Sequence, residues 1–299
     1  MRLSGVVVAL AAVFAVSVVA CGDDDSGGDS AGKVQVVTTL PLIADFVREV
    51  GRDRVDVTAL LPSGSDPHTY EPAPRDVQEV SRAEIAFANG LDLEQRVLRL
   101  IEANLPDGAP LVKLGEEVAG ETGVNPHLWL DMDSAREYVR LIRENLARVD
   151  PDGDAQYQQN LEAYLEQLDE TDSYVIGKIE TIPPANRKLV TTHDAFDYLA
   201  DYAGLEVVAF VAEGPGQEPS PGDVADLGRA IENEQIPAVF SEPQTGAESR
   251  VLEQAAEDAG VETCTLYSDS LDDRVRSYVE IMRFNADDMA RCLGDAGGD

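Results

Sequence analysis

The chain has 299 residues, enough for two domains of ordinary size, and its balance of 43% apolar and 27% charged residues is that of a globular protein. Against 23 Lys and Arg stand 57 Asp and Glu, a formal charge of −34. A surface this acidic argues against nucleic-acid binding and leaves cations as natural partners, although acids that coat a surface for solubility would give the same count.

In chain order, residues 1–20 pair one arginine with an apolar run from Val6 to Ala20, the layout of a signal peptide, too short and wrongly flanked for a spanning helix. Val18-Val19-Ala20-Cys21 resembles a bacterial lipobox, which implies that Cys21 is lipidated and begins the mature chain. Residues 21–33 then read as a flexible acidic tether, because Gly22 to Gly32 offer no side chain able to join a core. These features place the expected protein on the extracytoplasmic face of a bacterial cell membrane, held by lipid. With Cys21 assigned to the anchor, Cys264 and Cys292 remain in an oxidising compartment and are expected to form a disulfide. Two buried thiols are the alternative, since sequence does not report their separation.

From Val34 onward short apolar runs alternate with helical periods. VQVVTTL, VDVTALL and EIAFANG read as strands, LIADFVREVG and RDVQEVSRA as helices. Tyr157, Leu161, Tyr164, Leu165, Leu168, Val175 and Ile179 fall at helical spacing, so the stretch from Asp154 predicts one long helix stopped by Pro183-Pro184. Alternation then resumes with strands KLVTT, EVVAFV, PAVFSE and VETCTLY, separated by helices, and a last helix from about Asp272 to Leu293. The expected fold is α/β: two lobes, each a mainly parallel sheet flanked by helices, joined by one long linking helix. Residues 34–153 form the first lobe, 154–184 the linking helix and 185–299 the second lobe.

Only three histidines occur, and this alternation puts His68, His127 and His193 on the loops where parallel α/β sheets bind ligands, outside the carboxyl ends of strands. Asp269 follows a strand in the same way. Two candidates come from each lobe, so three imidazoles and one carboxylate would converge between them, a donor set for a divalent transition metal. Four protein donors leave no open position for a water nucleophile, which argues for capture rather than catalysis. As a loop-tip ligand, His193 is expected to contribute little to folding of the metal-free protein. Glu242 and Asp194 are acids near strand ends, with solvated or helix-capping roles set against hydrogen bonds to ligating imidazoles; Trp129 reads as a core or cleft-wall packer beside His127, with exclusion of water from the metal as the alternative.

The motifs DPHTYEP, NPHLWLD, TTHDAFDYL, EPSP (218–221), SEPQ (241–244) and YSDSL occur in an order similar to that of the zinc- and manganese-binding lipoproteins of ABC importers, the ZnuA/TroA type. The resemblance runs from about Val34 to the C-terminus. It implies metal ligation by His68, His127, His193 and Asp269, two lobes bridged by a rigid helix, and a monomer that delivers its cargo to an ABC permease from a lipid anchor. Many zinc importers of this family carry a His-rich loop before the second metal histidine, and GEEVAGETGV has none. Manganese therefore stays open as Mn2+, yet three imidazoles favour Zn2+ over a harder ion. A zinc-dependent extracytoplasmic hydrolase and a surface lipoprotein acting in cell adhesion are the competing readings.

Overall fold

The structure, a computed structural model, describes residues 32–120, 124–212, 214, 216, 217 and 219–294. The expected signal peptide, Cys21 and most of the tether lie outside the described residues, as do Glu218 and residues 295–299. Among the described residues no helix is long and apolar enough to cross a membrane.

Two four-stranded parallel sheets organise the chain. The first contains β1 (Val34–Thr38), β2 (Val55–Ala59), β3 (Ile85–Ala88) and β4 (Leu111–Lys113) in the order β2-β1-β3-β4. The second contains β5 (Lys188–His193), β6 (Glu206–Ala212), β7 (Ala238–Ser241) and β8 (Glu262–Thr265) in the order β6-β5-β7-β8, the same topology repeated. Strands buried on both faces explain the near-continuous apolar runs: Val36 and Leu189 join one large core, while their neighbours Val37 and Val190 face separate smaller clusters on the other side of each sheet.

Helices α1 (Pro41–Gly51), α2 (Pro74–Val80), α3 (Gln95–Asn104), α4 (Leu114–Ala119) and α5 (Met132–Val149) accompany the first sheet. The 27-residue α6 (Asp154–Glu180) follows and buries Tyr157, Leu161, Tyr164, Leu168, Thr171, Val175 and Ile179 along one stripe. This is the expected linking helix, but it ends at Glu180 rather than reaching the proline pair: Pro183 and Pro184 cannot donate backbone hydrogen bonds, and Pro184–Asn186 form a 3-10 turn. Helices α7 (Asp197–Ala203), α8 (Pro221–Asn233), α9 (Gly246–Ala259) and α10 (Tyr278–Leu293) accompany the second sheet. Ser220 caps α8, accepting from Asp223 N at 3.3 Å while Asp223 Oδ2 accepts from Ser220 N at 2.8 Å, with Pro221 in the first turn.

The last helix starts six residues later than Asp272. Asp272 Oδ1 accepts from Arg274 N at 2.7 Å and Val275 N at 3.0 Å, a turn that competes with helix, and Ser277 supplies the cap by accepting from Glu280 N at 3.2 Å. Cys264 in β8 and Cys292 in α10 are joined as a disulfide, with Cα atoms 6.6 Å apart. The large core takes residues from both sheets and from α1, α5, α6 and α10 without a break, so the two lobes share one apolar interior.

Candidate metal centre

His68 lies on the loop after β2, in a turn built by Asp66. The Asp66 carboxylate accepts from His68 N at 2.8 Å and from Thr69 Oγ1 at 2.9 Å. His127 precedes the 3-10 turn Leu128–Leu130 on the connection between α4 and α5. His193 is the last residue of β5, the inner strand at which the strand order reverses. Asp269 follows β8 on a segment pinned to α10, where the Asn285 side chain accepts from Tyr267 N at 2.9 Å and donates to Tyr267 O at 2.8 Å.

These four residues converge. His127 Nε2 lies 3.3 Å from His68 Nε2, 3.4 Å from His193 Nε2 and 3.2 Å from Asp269 Oδ1; the second carboxylate oxygen is 3.6 Å from His193 Nε2 and 3.9 Å from His68 Nε2. All four can present donor atoms within 4.8 Å of one another. Both Asp269 oxygens are buried and have no hydrogen-bond partner of acceptable geometry among the described residues. A carboxylate left bare in the interior is costly unless a cation answers it. The His68 side chain retains 20% exposure whereas those of His127, His193 and Asp269 retain 1% or less, so the cluster meets solvent on the His68 side.

Glu242, at the end of β7, is fully buried directly behind His193. Its Oε1 lies 2.9 Å from His193 Nδ1 and accepts from Thr192 Oγ1; its Oε2 accepts from Ser268 Oγ and, at 3.1 Å, from Gln244 Nε2. One carboxylate thus touches the ring of one candidate ligand and the residue preceding another. Burial would push the His193 imidazole down, but Glu242 in contact and Asp269 nearby outweigh it and raise its pKa to about 9. Burial lowers His68 to about 4 despite the attraction of Asp269. For Asp269 burial acts upward, and the surrounding imidazoles overcome it to hold the carboxyl well below the usual range.

Trp129 is fully buried, its ring 5.4 Å from that of His127, and its Nε1 donates to Ser268 O at 2.9 Å. Among the described residues Asp194 has no hydrogen bond to a candidate ligand ring; its carbonyl oxygen, at 3.1 Å, and its carboxylate, at 3.4 Å, accept from Asn125 Nδ2. The expectation that His193 sits at a loop tip is corrected: it is the last residue of β5 and is 0% exposed. Asn125, Ser268, Gln244 and Thr192 take part in the site without having been singled out in the sequence. Thr192 and Ser268 are immediate neighbours of candidate ligands and Asn125 stands two residues before one, and that closeness in the chain was the available signal.

Residues 36–292 match the ZnuA family, described as zinc-uptake complex component A, periplasmic. The chain is 30% identical over 285 residues to the manganese-binding lipoprotein MntA of Halalkalibacterium halodurans, covering 92% of this chain and 94% of that protein. It is 27% identical to the manganese ABC transporter substrate-binding lipoprotein PsaA of Streptococcus pneumoniae, covering 93% and 95%. Among solved structures, the periplasmic zinc-binding protein TroA of Treponema pallidum aligns with a TM-score of 0.81 at 30% identity, covering 88% of this chain and all of that one. A Mn-bound periplasmic metal-binding protein from Candidatus Liberibacter asiaticus aligns with a TM-score of 0.77 at 25% identity, covering 87% and 99%. With a family match across nearly the whole chain and a donor cluster between two α/β lobes, the chain belongs to the ZnuA family, the substrate-binding proteins of metal ABC importers.

Proposed function

We propose that this chain is an extracytoplasmic lipoprotein, anchored through Cys21, that takes up one divalent metal ion as cargo on His68, His127, His193 and Asp269 and passes it as a monomer to an ABC permease. Residues 34–153 and 185–299 act as the two metal-binding lobes about the linking segment 154–184. The observation that carries this reading is the pair of buried, unpartnered Asp269 oxygens facing three imidazole Nε2 atoms. Four protein donors complete a coordination sphere, so a hydrolase, which needs an open position for water, is disfavoured.

Zinc is the favoured cargo. Bonds of about 2.0–2.1 Å in a tetrahedral zinc site put neighbouring donors about 3.3 Å apart, and the separations around His127 Nε2 are 3.3, 3.4 and 3.2 Å. Three nitrogen donors also suit zinc better than manganese, which prefers oxygen. Manganese is the second reading, favoured by the names of MntA and PsaA and by the second Asp269 oxygen, which could expand the coordination. Behind the ligands, Glu242 orients His193, Trp129 excludes water, and Asp194 is linked by hydrogen bond to Asn125, which bonds His127. The test is elemental analysis of the mature protein after dialysis against equal free zinc and manganese. One equivalent of zinc supports the assignment, one of manganese replaces it, and no bound metal rejects the function.

A further inference from the structure

Asn125 stands two residues before His127 on the first-lobe side and bonds in two directions. Its Oδ1 lies 3.1 Å from His127 N and 2.6 Å from His127 Nδ1; its Nδ2 lies 3.1 Å from Asp194 O and 3.4 Å from Asp194 Oδ1. Chemistry fixes the orientation of the amide. A backbone N–H can only donate, so the atom facing His127 is the oxygen, and the NH2 group faces the two oxygens of Asp194. The ring nitrogen 2.6 Å from that oxygen must then carry the hydrogen, leaving the lone pair of the neutral imidazole on Nε2, the atom that faces His68, His193 and Asp269.

We infer that Asn125 is a positioning residue for metal capture: it sets the tautomer of His127 and ties that ligand to the segment carrying His193 in the other lobe. The two ligands it serves are otherwise far apart in the chain, and Asp194 is bonded next to His193, whose own carbonyl accepts from Thr191 Oγ1 and Ala195 N, both at 3.0 Å. The amide thereby connects two segments that are each already held in place. Two further first-lobe residues bond across to the second lobe in parallel with it. Trp129 Nε1 donates to Ser268 O at 2.9 Å, and Gly64 N lies 2.7 Å from Ser270 Oγ and 2.8 Å from Leu271 O, so first-lobe ligand segments are fastened to the Asp269 segment as well. Asn125 differs from those two in hydrogen-bonding a nitrogen of a candidate ligand ring. Its role also differs from that of Glu242, because an amide oxygen orients an imidazole without adding a charge to it.

The inference rests on the reading of His127 as a ligand, and the experiment separates the two. Zinc affinity is measured with a competing chelator for the full mature chain and for Asn125→Ala and Asn125→Asp. Ring nitrogens of the three histidines are followed by 15N NMR in the zinc-loaded proteins, and the metal-free variants are checked for a wild-type thermal transition. The alanine variant should bind zinc about 10–100-fold more weakly, as removal of an orienting partner does, with the His127 Nδ1–H signal lost or displaced. The aspartate variant keeps an acceptor for that hydrogen, so it should restore the signal, and it supplies the test if the alanine variant does not fold. Wild-type affinity with an unchanged His127 signal in the alanine variant would overturn the inference, as would an aspartate variant whose His127 carries its hydrogen on Nε2. A wild-type protein that binds no zinc and no manganese would instead overturn the proposed function.

Discussion

His193 and His127 are both imidazoles in one cluster, yet the chain treats them differently. His193 is backed by a carboxylate that also gathers Thr192, Ser268 and Gln244, whereas His127 is backed by an amide. Removing His193 therefore has two consequences. A His193→Ala substitution takes away one of the three proposed nitrogen donors and should weaken zinc binding by more than about 100-fold, beyond what loss of an orienting partner costs. It also opens a cavity in a fully buried position and strips one partner from Glu242, so the metal-free protein should lose on the order of 1–3 kcal/mol. Chelator competition and urea unfolding read the two effects separately. Unchanged affinity would remove His193 from the ligand set, and unchanged stability would mean that Thr192, Ser268 and Gln244 satisfy Glu242 unaided.

Between elements, the clearest tie is that of α10 to the first lobe. Tyr278, the first residue of α10, donates its N–H to Asp45 Oδ2 in α1 at 2.8 Å and its hydroxyl to Trp129 O at 2.8 Å, and its ring packs 4.9 Å from that of Phe46. Burial raises the Asp45 carboxyl to about 6, against the hydrogen bond from Tyr278, with Glu49 and Glu280 adding repulsion. A folded-state pKa above the unfolded value means that the folded protein holds the proton more tightly. The stabilisation is fully present below about pH 4 and is lost as pH rises through about 6. An Asp45→Asn variant keeps an acceptor for Tyr278 N without the charge. It should be more stable than the wild type at pH 7.5 by about 1–2 kcal/mol, an advantage that fades near pH 4. Urea unfolding of the metal-free proteins at both pH values checks this, and equal stability at pH 7.5 would show that Asp45 is ionised without penalty. Such ties explain what could be read from the sequence. Apolar runs such as VQVVT and AVFS identify strands because burial on both faces leaves few polar positions, and Pro183-Pro184 marks the end of α6 from its covalent chemistry alone. The three-residue β4, LVK, has one buried position and no period to detect. His68, His193 and Asp269 stood out because strand ends gather ligands, whereas His127, expected at such an end, lies between helices α4 and α5. Asn125 could not be read in the same way, since its second partner lies 69 residues away and only the fold brings it near.

At the scale of the whole molecule, the two sheets carry the same device at their inner strands. Val36-Val37-Thr38-Thr39-Leu40 runs through and just past the end of β1, and Leu189-Val190-Thr191-Thr192-His193 ends β5. Thr38 and Thr191 each donate to the carbonyl two residues on, and Thr39 and Thr192 each donate to a buried carboxylate, Glu94 and Glu242. The second lobe differs by presenting an imidazole, the candidate ligand His193, where the first presents Leu40. Around this scaffold lies a net charge of −34, which acts on every approaching ion. Like charges destabilise a compact state, and the same field draws cations toward the exposed edge of His68. Raising a non-complexing salt from about 0.01 to about 0.15 M shortens the screening length from about 30 to about 8 Å. Two effects should follow together: the metal-free protein should unfold at a higher temperature, and the association rate constant for zinc should fall about tenfold or more. The dissociation rate should stay nearly constant, because the bound ion leaves a buried site where salt screens little. Calorimetry and stopped-flow mixing across the salt series test both. A melting temperature that drops with salt would mean that surface pairs such as Arg96 with Glu71, 2.7 Å apart, outweigh the repulsion. An association rate indifferent to salt would mean that the acidic surface serves solubility and does not steer the metal.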